Sequence, residues 1–343
     1  MAVIGLGAIG KVHAKSLKGI SEGTLIAVSD ADEGHARTAE TLGVKFYINY
    51  EEMIEKEKPD GVVLAIPNEL HAPVGITCAE KKIHLLVEKP IASTLSDADR
   101  LIEAVRKNHV RLLVGHHRRF NPMIETLREM VRGEQLGKLV GVTVLWTSLK
   151  PSDYFEGPFS WRKNRGGGPI LINMIHEIDT LRYVCGEVTR VHTEMSNHIR
   201  NFPVEDSVSV TLRLENDVLV SLFLSDCVPA VFNYEANSGD NPFFYHSPES
   251  CYYFFGTEAT VTFPRLKKFF YPNPSRAGWQ YPITEEGIKV TPEDPYAREL
   301  RHFCKVVMGA ESPRTSGEDG KKTLEVTLAV QKSGESGEPI VFP

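Results

Sequence analysis

The chain has 343 residues, 41% of them hydrophobic and 24% charged, with a formal net charge of −6, the make-up of an ordinary globular protein long enough for two domains. The acidic balance and the lack of any basic run exclude a nucleic-acid partner, which needs clustered Lys and Arg to neutralise phosphates. No apolar stretch approaches the roughly 20 residues that span a bilayer, no leader-like segment opens the chain, and the five cysteines include no Cys-x-x-Cys pair, so a cytoplasmic protein with free thiols, no membrane partner and no metal site is expected.

From the start of the chain, Ala2-Val3-Ile4 reads as a strand that runs into Gly5-Leu6-Gly7-Ala8-Ile9-Gly10 and then an amphipathic helix. Met1 lies so close to these glycines that a few native residues are expected to precede it. Thr24 to Ser29 reads as a second strand closed by Asp30, twenty residues after Gly10. Gly61 to Ile66, Ile83 to Val87 and Arg111 to Val114 are further strands. Between them, 68–82 and 95–109 carry helical spacing, the latter opened by Ser96 as N-cap with Asp99 three residues on. Strands alternating with helices build a doubly wound parallel sheet, here over 1–121.

The pattern changes after Asn121-Pro122. A helix is expected from Met123 to Arg132, then strands over 138–146, 207–214 and 218–224, the last two joined by a turn at Asn216-Asp217. Residues 122–343 therefore form a second α/β domain with an open, mostly antiparallel sheet. The aromatic-rich segment 226–282 gives no assignable pattern. Helical spacing returns over 296–307 and 319–333.

The glycine loop, with a strand before it and a helix after it, predicts a dinucleotide site. Gly5 permits the tight turn, Gly7 lets a pyrophosphate approach the backbone, and Gly10 lets helix and sheet pack closely, while the helix N-terminus presents N–H groups to the anion. The backbone at Ala8 and Ile9 belongs to the same cradle. Asp30 can accept hydrogen bonds from the adenosine ribose and would repel the extra phosphate of NADP, so NAD is the expected cofactor; nearby Arg37 softens that preference.

Three clusters add chemistry. Glu88-Lys89-Pro90 follows a central strand at the sheet edge that faces ligand, where the charge of an oxidised nicotinamide would lower a lysine's pKa and fit it for proton exchange with a hydroxyl. Pro90 suits a sharp, even cis, turn. Pro67, Asn68 and His71 follow another central strand, with Asn68 either capping the next helix or touching the nicotinamide half. In Gly166-Gly167-Gly168 and the helix after it, Leu171, Met174, Ile175, Ile178, Leu181 and Cys185 form an apolar stripe, and Asn173, His176, Thr180 and Tyr183 gather opposite. That polar face is either a functional array or simply solvated; a neutral His176 there could take a carbinol proton. Arg119 and Arg162 could hold substrate or cofactor, or serve as interdomain salt bridges.

Together GLGAIG, AIPNELH, EKP, HHRRFNP and the glycine triplet followed by HEID resemble, in that order, the glucose–fructose oxidoreductase/inositol dehydrogenase (Gfo/Idh/MocA) family, almost end to end. The resemblance implies an N-terminal Rossmann domain, a C-terminal domain used for oligomerisation, and NAD-dependent oxidation of a secondary alcohol on a sugar, cyclitol or related cyclic polyol. It also implies that Lys89 and His176 are the catalytic pair, either of them the proton acceptor. Many members place an aspartate four residues before the histidine; Ile172 stands there, so the full triad is not carried over, and Asn173 or Asp179 is left to orient substrate or histidine. The missing carboxylate and the aromatic segment hint at a less polar ring such as a cyclic dihydrodiol. Relatives that hold NAD tightly to cleave glycosides or exchange electrons between sugars, and dinucleotide-responsive regulators, are the alternatives. The strands 207–214 and 218–224 carry apolar residues in both phases, so a homodimer or homotetramer joined through this sheet is expected.

Overall fold

A computed structural model describes residues 1–241 and 243–342. The chain divides into two compact units, one of residues 1–120 with 293–325, the other of 121–292 with 326–343. The helices near the end, expected with the second domain, are thus shared. Leu300, Phe303 and Cys304 pack into the same core as Met1, Leu17 and Val63, because that apolar surface of the first unit needs a cover its own first 120 residues do not supply.

The first unit runs β1 (Ala2–Ile4), α1 (Ala8–Gly19), β2 (Ala27–Ser29), α2 (Ala36–Leu42), β3 (Lys45–Tyr47), α3 (Tyr50–Glu57), β4 (Gly61–Leu64), α4 (Asn68–Glu80), β5 (His84–Glu88), α5 (Leu95–Asn108) and β6 (Leu112–Gly115). Among the described residues its six strands lie in the order β3-β2-β1-β4-β5-β6, every pair parallel. Central strands are buried on both faces, so they read as unbroken apolar runs such as Val62-Val63-Leu64. Strand β3, half-exposed at the edge, lacks that run and escapes the sequence pattern. The cap of α5 is Thr94, which accepts from Asp97 N at 3.1 Å; Ser96 lies inside the helix.

The second unit opens with α6 (Pro122–Arg132), capped by Asn121, whose Oδ1 accepts from Met123 N at 2.7 Å. It continues β7 (Leu139–Thr147), a π-helical turn (Ile170–Met174), α7 (Ile175–Cys185), β8 (Val188–Ser196), β9 (Ser207–Leu214), β10 (Leu219–Ser225), α8 (Tyr234–Ser238), β11 (Tyr252–Gly256), β12 (Ala259–Phe263), β13 (Lys267–Phe270) and β14 (Thr284–Gly287). After α9 (Pro295–Val307), which belongs to the first unit, α10 (Gly317–Ser336) has its first half in the first unit and its second in this one, and β15 (Ile340–Val341) closes the chain. The described strands form one sheet, β14-β13-β12-β11-β7-β10-β9-β8-β15, antiparallel except for β7 beside β10. Asp217, at φ 61°, makes the expected turn between β9 and β10. Strand β9 alternates cleanly, Val208, Val210, Leu212 and Leu214 inward and Ser209, Thr211 and Arg213 outward; only β10 shows the expected apolar residues in both phases, with Leu219 and Phe223 on the open face.

Candidate active site

In the first unit, parallel topology puts the segments that follow β1, β2, β4 and β5 at one edge of the sheet. The three glycines have distinct reasons. Gly5 sits at φ 93°, and a Cβ there would meet the Ala65 carbonyl oxygen at 2.3 Å; a Cβ on Gly10 would meet the Gly5 oxygen at 1.9 Å. A Cβ on Gly7 would meet nothing within 4 Å. The fold itself therefore demands Gly5 and Gly10, whereas Gly7 keeps open the space in front of the exposed α1 N-terminus, which has no side-chain cap and no acidic residue in its first turn. Ala8 is exposed and Ile9 half-buried beside it. This cradle fits a pyrophosphate.

Asp30 closes β2 and binds the loop. One carboxylate oxygen accepts from Leu6 N and the other from Asp32 N at 2.8 Å, which fixes the side chain and leaves lone pairs for further donors. Beyond β4, Pro67 occupies the N-cap position and α4 starts at Asn68, so Asn68 is not the cap; its half-buried amide bonds no described residue. His71 is fully buried, with Nδ1 2.7 Å from the Pro90 oxygen and Nε2 2.9 Å from the Ile66 oxygen. It pins together the turns that follow β4 and β5. Burial holds its pKa below the usual histidine range, and a neutral ring donates to only one of the two carbonyls.

Lys89 is half-buried beside a cis bond to Pro90. Its neighbour Glu88 points into the protein, where Oε1 lies 2.6 Å from His13 Nε2 on α1 and Oε2 accepts from Lys89 N at 3.2 Å. Burial alone would raise the Glu88 pKa, but the His13 hydrogen bond and charge, with Lys89 and His117 nearby, bring it down to about 2. Burial also presses His117 down to about 3; its ring stacks on Tyr296 at 4.4 Å between centroids. Arg119 is buried and ion-paired with Asp319, and its carbonyl accepts from Arg314 at 2.8 Å, so its visible role in this unit is structural.

In the second unit, His176 lies on α7, 9% exposed, with Glu177, Asp179, Thr180 and Arg182 more deeply buried. The polar face is therefore packed rather than solvated. The π turn shifts the helical phase, so that Leu171, expected in the apolar stripe, is only half-buried while Ile170 is buried. The glycine triplet serves the chain's own packing: a Cβ on Gly167 would lie 2.7 Å from the Arg162 backbone, and one on Gly168 2.7 Å from Glu205 Oε1. That carboxylate accepts from Ile170 N at 2.8 Å; burial lifts its pKa to about 7.

Asn173 Oδ1 accepts from Lys150 Nζ at 2.7 Å. Lys150 is buried, 3.4 Å from Asp226, and lies over the rings of Trp146 and Tyr154 at 5.4 and 4.8 Å. Burial, reinforced by the charges of Arg162 and Arg200 and opposed by Asp226, takes its pKa down to about 8. Arg162 stacks on Tyr154, 3.9 Å from its centroid, and donates to the Tyr154 carbonyl at 3.0 Å.

Residues 1–116 match the model of an oxidoreductase family with an NAD-binding Rossmann fold, and 124–262 match the Gfo/Idh/MocA C-terminal domain. The chain is 31% identical to the myo-inositol 2-dehydrogenase of Thermotoga maritima over 98% of its own length and 96% of that protein's. This chain belongs to the Gfo/Idh/MocA family. It is also 27% identical to the scyllo-inositol 2-dehydrogenase (NAD(+)) of Bacillus subtilis, over 99% and 95% of the two chains. The crystal structure of a probable dehydrogenase from Thermotoga maritima superimposes with a TM-score of 0.77 at 28% identity, covering 99% and 98%. The chain is an NAD-binding oxidoreductase of this family.

Sequence reading of this Gfo/Idh/MocA chain missed His13, Lys150 and Asp226. His13 falls three residues after Gly10 on the buried side of α1, with Ala14 and Leu17, and helical spacing could have found it. Lys150-Pro151 follows a strand as Lys89-Pro90 does, a parallel the sequence offered. Asp226 lay at the start of the unassigned segment. Among the described residues no cluster of His, Cys, Asp or Glu could hold a metal, and no helix is long and apolar enough to cross a membrane.

Proposed function

We propose that this protein is an NAD-dependent dehydrogenase of a secondary alcohol on a sugar, cyclitol or related cyclic polyol. The observation that carries this reading is the set of segments at the sheet edge of the first unit: the open Gly7 cradle, Asp30 after β2, Asn68 after β4 and Lys89 after β5. The inositol dehydrogenases among its relatives support the substrate class.

Gly5, Gly7, Ala8, Ile9 and Gly10 would hold the pyrophosphate, Asp30 the adenosine ribose, and Pro67, Asn68, His71, Glu88 and Lys89 the surroundings of the nicotinamide half. NAD, when bound, supplies the hydride acceptor. Lys89 orients the hydroxyl and accepts or relays its proton, Glu88 and His71 acting only as positioning residues behind it. His176, on the second unit, is the other proton-handling group, and Arg162 and Asn173 contact substrate. A panel of cyclitols and sugars assayed by absorbance at 340 nm tests the reaction. NADH formation with at least one of them, lost by 10²-fold or more in Lys89→Met and in His176→Ala, is expected; no NADH with any member would refute it.

The Asp30 carboxylate makes NAD the preferred cofactor over NADP. Calorimetry at low salt should give a Kd for NADP at least tenfold weaker, and equal constants would overturn the preference. The open face of the second unit's sheet exposes Leu219, Phe223 and Phe255 by 40–56%, which supports a homodimer or homotetramer through this face. Light scattering at micromolar concentration giving the 38.3 kDa monomer would refute that.

A further inference from the structure

Hydrogen-bond donors around Asn173 outnumber their acceptors. An ammonium has no acceptor lone pair, so the Asn173 atom facing Lys150 is the carbonyl oxygen, and the amide NH₂ is turned the other way. That NH₂ bonds no described residue. Lys150 uses its donors on Asn173 and Asp226, and its third N–H has no acceptor among the described residues. Arg162 has five N–H groups and directs one to the Tyr154 carbonyl; among the described residues it has no carboxylate partner. Both cations lie on the Tyr154 ring.

The carboxylates nearby do not balance these charges. Asp226 is shared between Lys150 and Arg200, whose Nε donates to it at 2.8 Å. Glu205 is buried and turned to the Ile170 amide. Asp206, buried beside Glu205, is taken up by the Ile199 and Arg200 amides and the Ser207 hydroxyl, so of the three acids near Lys150, Arg162 and Arg200 only Asp226 pairs with their side chains, and Glu205 is about half neutral at pH 7 because burial disfavours its charge. Directly before Asn173 stands Ile172, which accepts nothing through its side chain. The groups with donors to spare here are Lys150, Arg162 and the Asn173 amide, a set that suits an acceptor-only anion better than a hydroxyl, which must also place a donor.

We infer that the substrate carries an anionic group, a carboxylate or a phosphate, received by Lys150, Arg162 and the Asn173 amide. This deepens the polyol dehydrogenase reading and rests on it. Planar bidentate contact with Arg162 and strong charge-assisted bonds fit either group.

The test is calorimetric binding of D-glucose, D-glucuronate and D-glucose 6-phosphate to the full chain in the presence of NAD, a readout that needs no turnover. At least one acid should bind tenfold or more tightly than glucose, and which one identifies the group. Arg162→Gln and Asn173→Asp should each cut that preference to threefold or less, whatever each does to the weak glucose Kd against which the preference is taken. Lys150→Met should do the same; should it unfold, the half-buried Arg162 and Asn173 variants carry the test. Glucose binding as tightly as both acids, or a preference that survives Arg162→Gln and Asn173→Asp, overturns the inference. NADH formation from neutral polyols without acid preference would sink this inference alone, whereas acid preference without NADH from any compound would support it and sink the dehydrogenase reading.

Discussion

Replacing His13 by Leu should destabilise the first unit by about 3–5 kcal/mol, because it strands a buried carboxylate rather than merely deleting a contact. Glu88 is 5% exposed and its pKa is brought from 4.5 down to about 2, a shift equivalent to about 3 kcal/mol of preference for the charged form. Without His13 the burial that already opposes that charge loses its largest counterweight. Thermal unfolding at pH 7 should show a fall of roughly 10 °C, at about 2–4 °C per kcal/mol for a unit of this size. The double variant His13→Leu/Glu88→Gln should recover most of the loss, since the amide can still accept from Lys89 N and carries no charge. The sign with pH follows from the depressed pKa. The contribution is fully present above about pH 4.5 and disappears as pH falls toward 2, so the gap between wild type and the double variant should narrow below pH 4.5. A single variant no less stable than the double one would show that the ion pair does not hold this region.

Gly7→Ala should leave the melting temperature within about 2 °C, because nothing lies within 4 Å of its Cβ, yet weaken NAD binding at least tenfold by calorimetry. Gly10→Ala places its Cβ 1.9 Å from the Gly5 oxygen and should destabilise by roughly 3 kcal/mol or more, measured by urea unfolding. Glu205→Gln should stabilise the second unit. With the folded pKa raised to about 7, ionisation works against folding as pH climbs from 4.5 to 7. The gain should therefore be near zero at pH 4.5 and reach at most roughly 3 kcal/mol at pH 8, and a gain independent of pH would contradict the account.

The parallel sheet was legible because strands buried on both faces leave unbroken Val/Leu runs, and because Gly5 and Gly10 answer two different steric demands of the strand-to-helix turn. Edge strand β3 was not, since Lys45-Phe46-Tyr47 is half-exposed and has neither a run nor a clean alternation. Strand β8 alternates only weakly, with Thr189 and Arg190 adjacent where its pairing with β9 shifts register. In the candidate site, Lys89 and His176 were readable as residues. The tie from His13 to Glu88 was not, because 75 positions separate them and only the packing of α1 against the sheet joins them. The partners of Lys150 were unreadable for the same reason. Its meaning depends on Asn173 and Asp226, 23 residues from the first and brought to the second by parallel pairing of β7 with β10. Two members of the glycine triplet make room for the chain's own Arg162 and Glu205, contacts that no local pattern around residues 166–168 announces.

The π turn at Ile170–Met174 gives this chain a place where its length can change by one residue. A π turn holds one residue more than the α-helix that would replace it, so deleting a single position there would let the helix close in regular form. Only side chains within the turn would be re-phased, because Gly167 and Gly168 just upstream are packed against Arg162 and Glu205. His176 and the buried residues after it would stay where they are, while Asn173 and Ile172 would exchange places with their neighbours at the surface. One-residue deletions between 171 and 173 are therefore an economical library for changing which side chain stands at the place of Asn173 without disturbing the histidine.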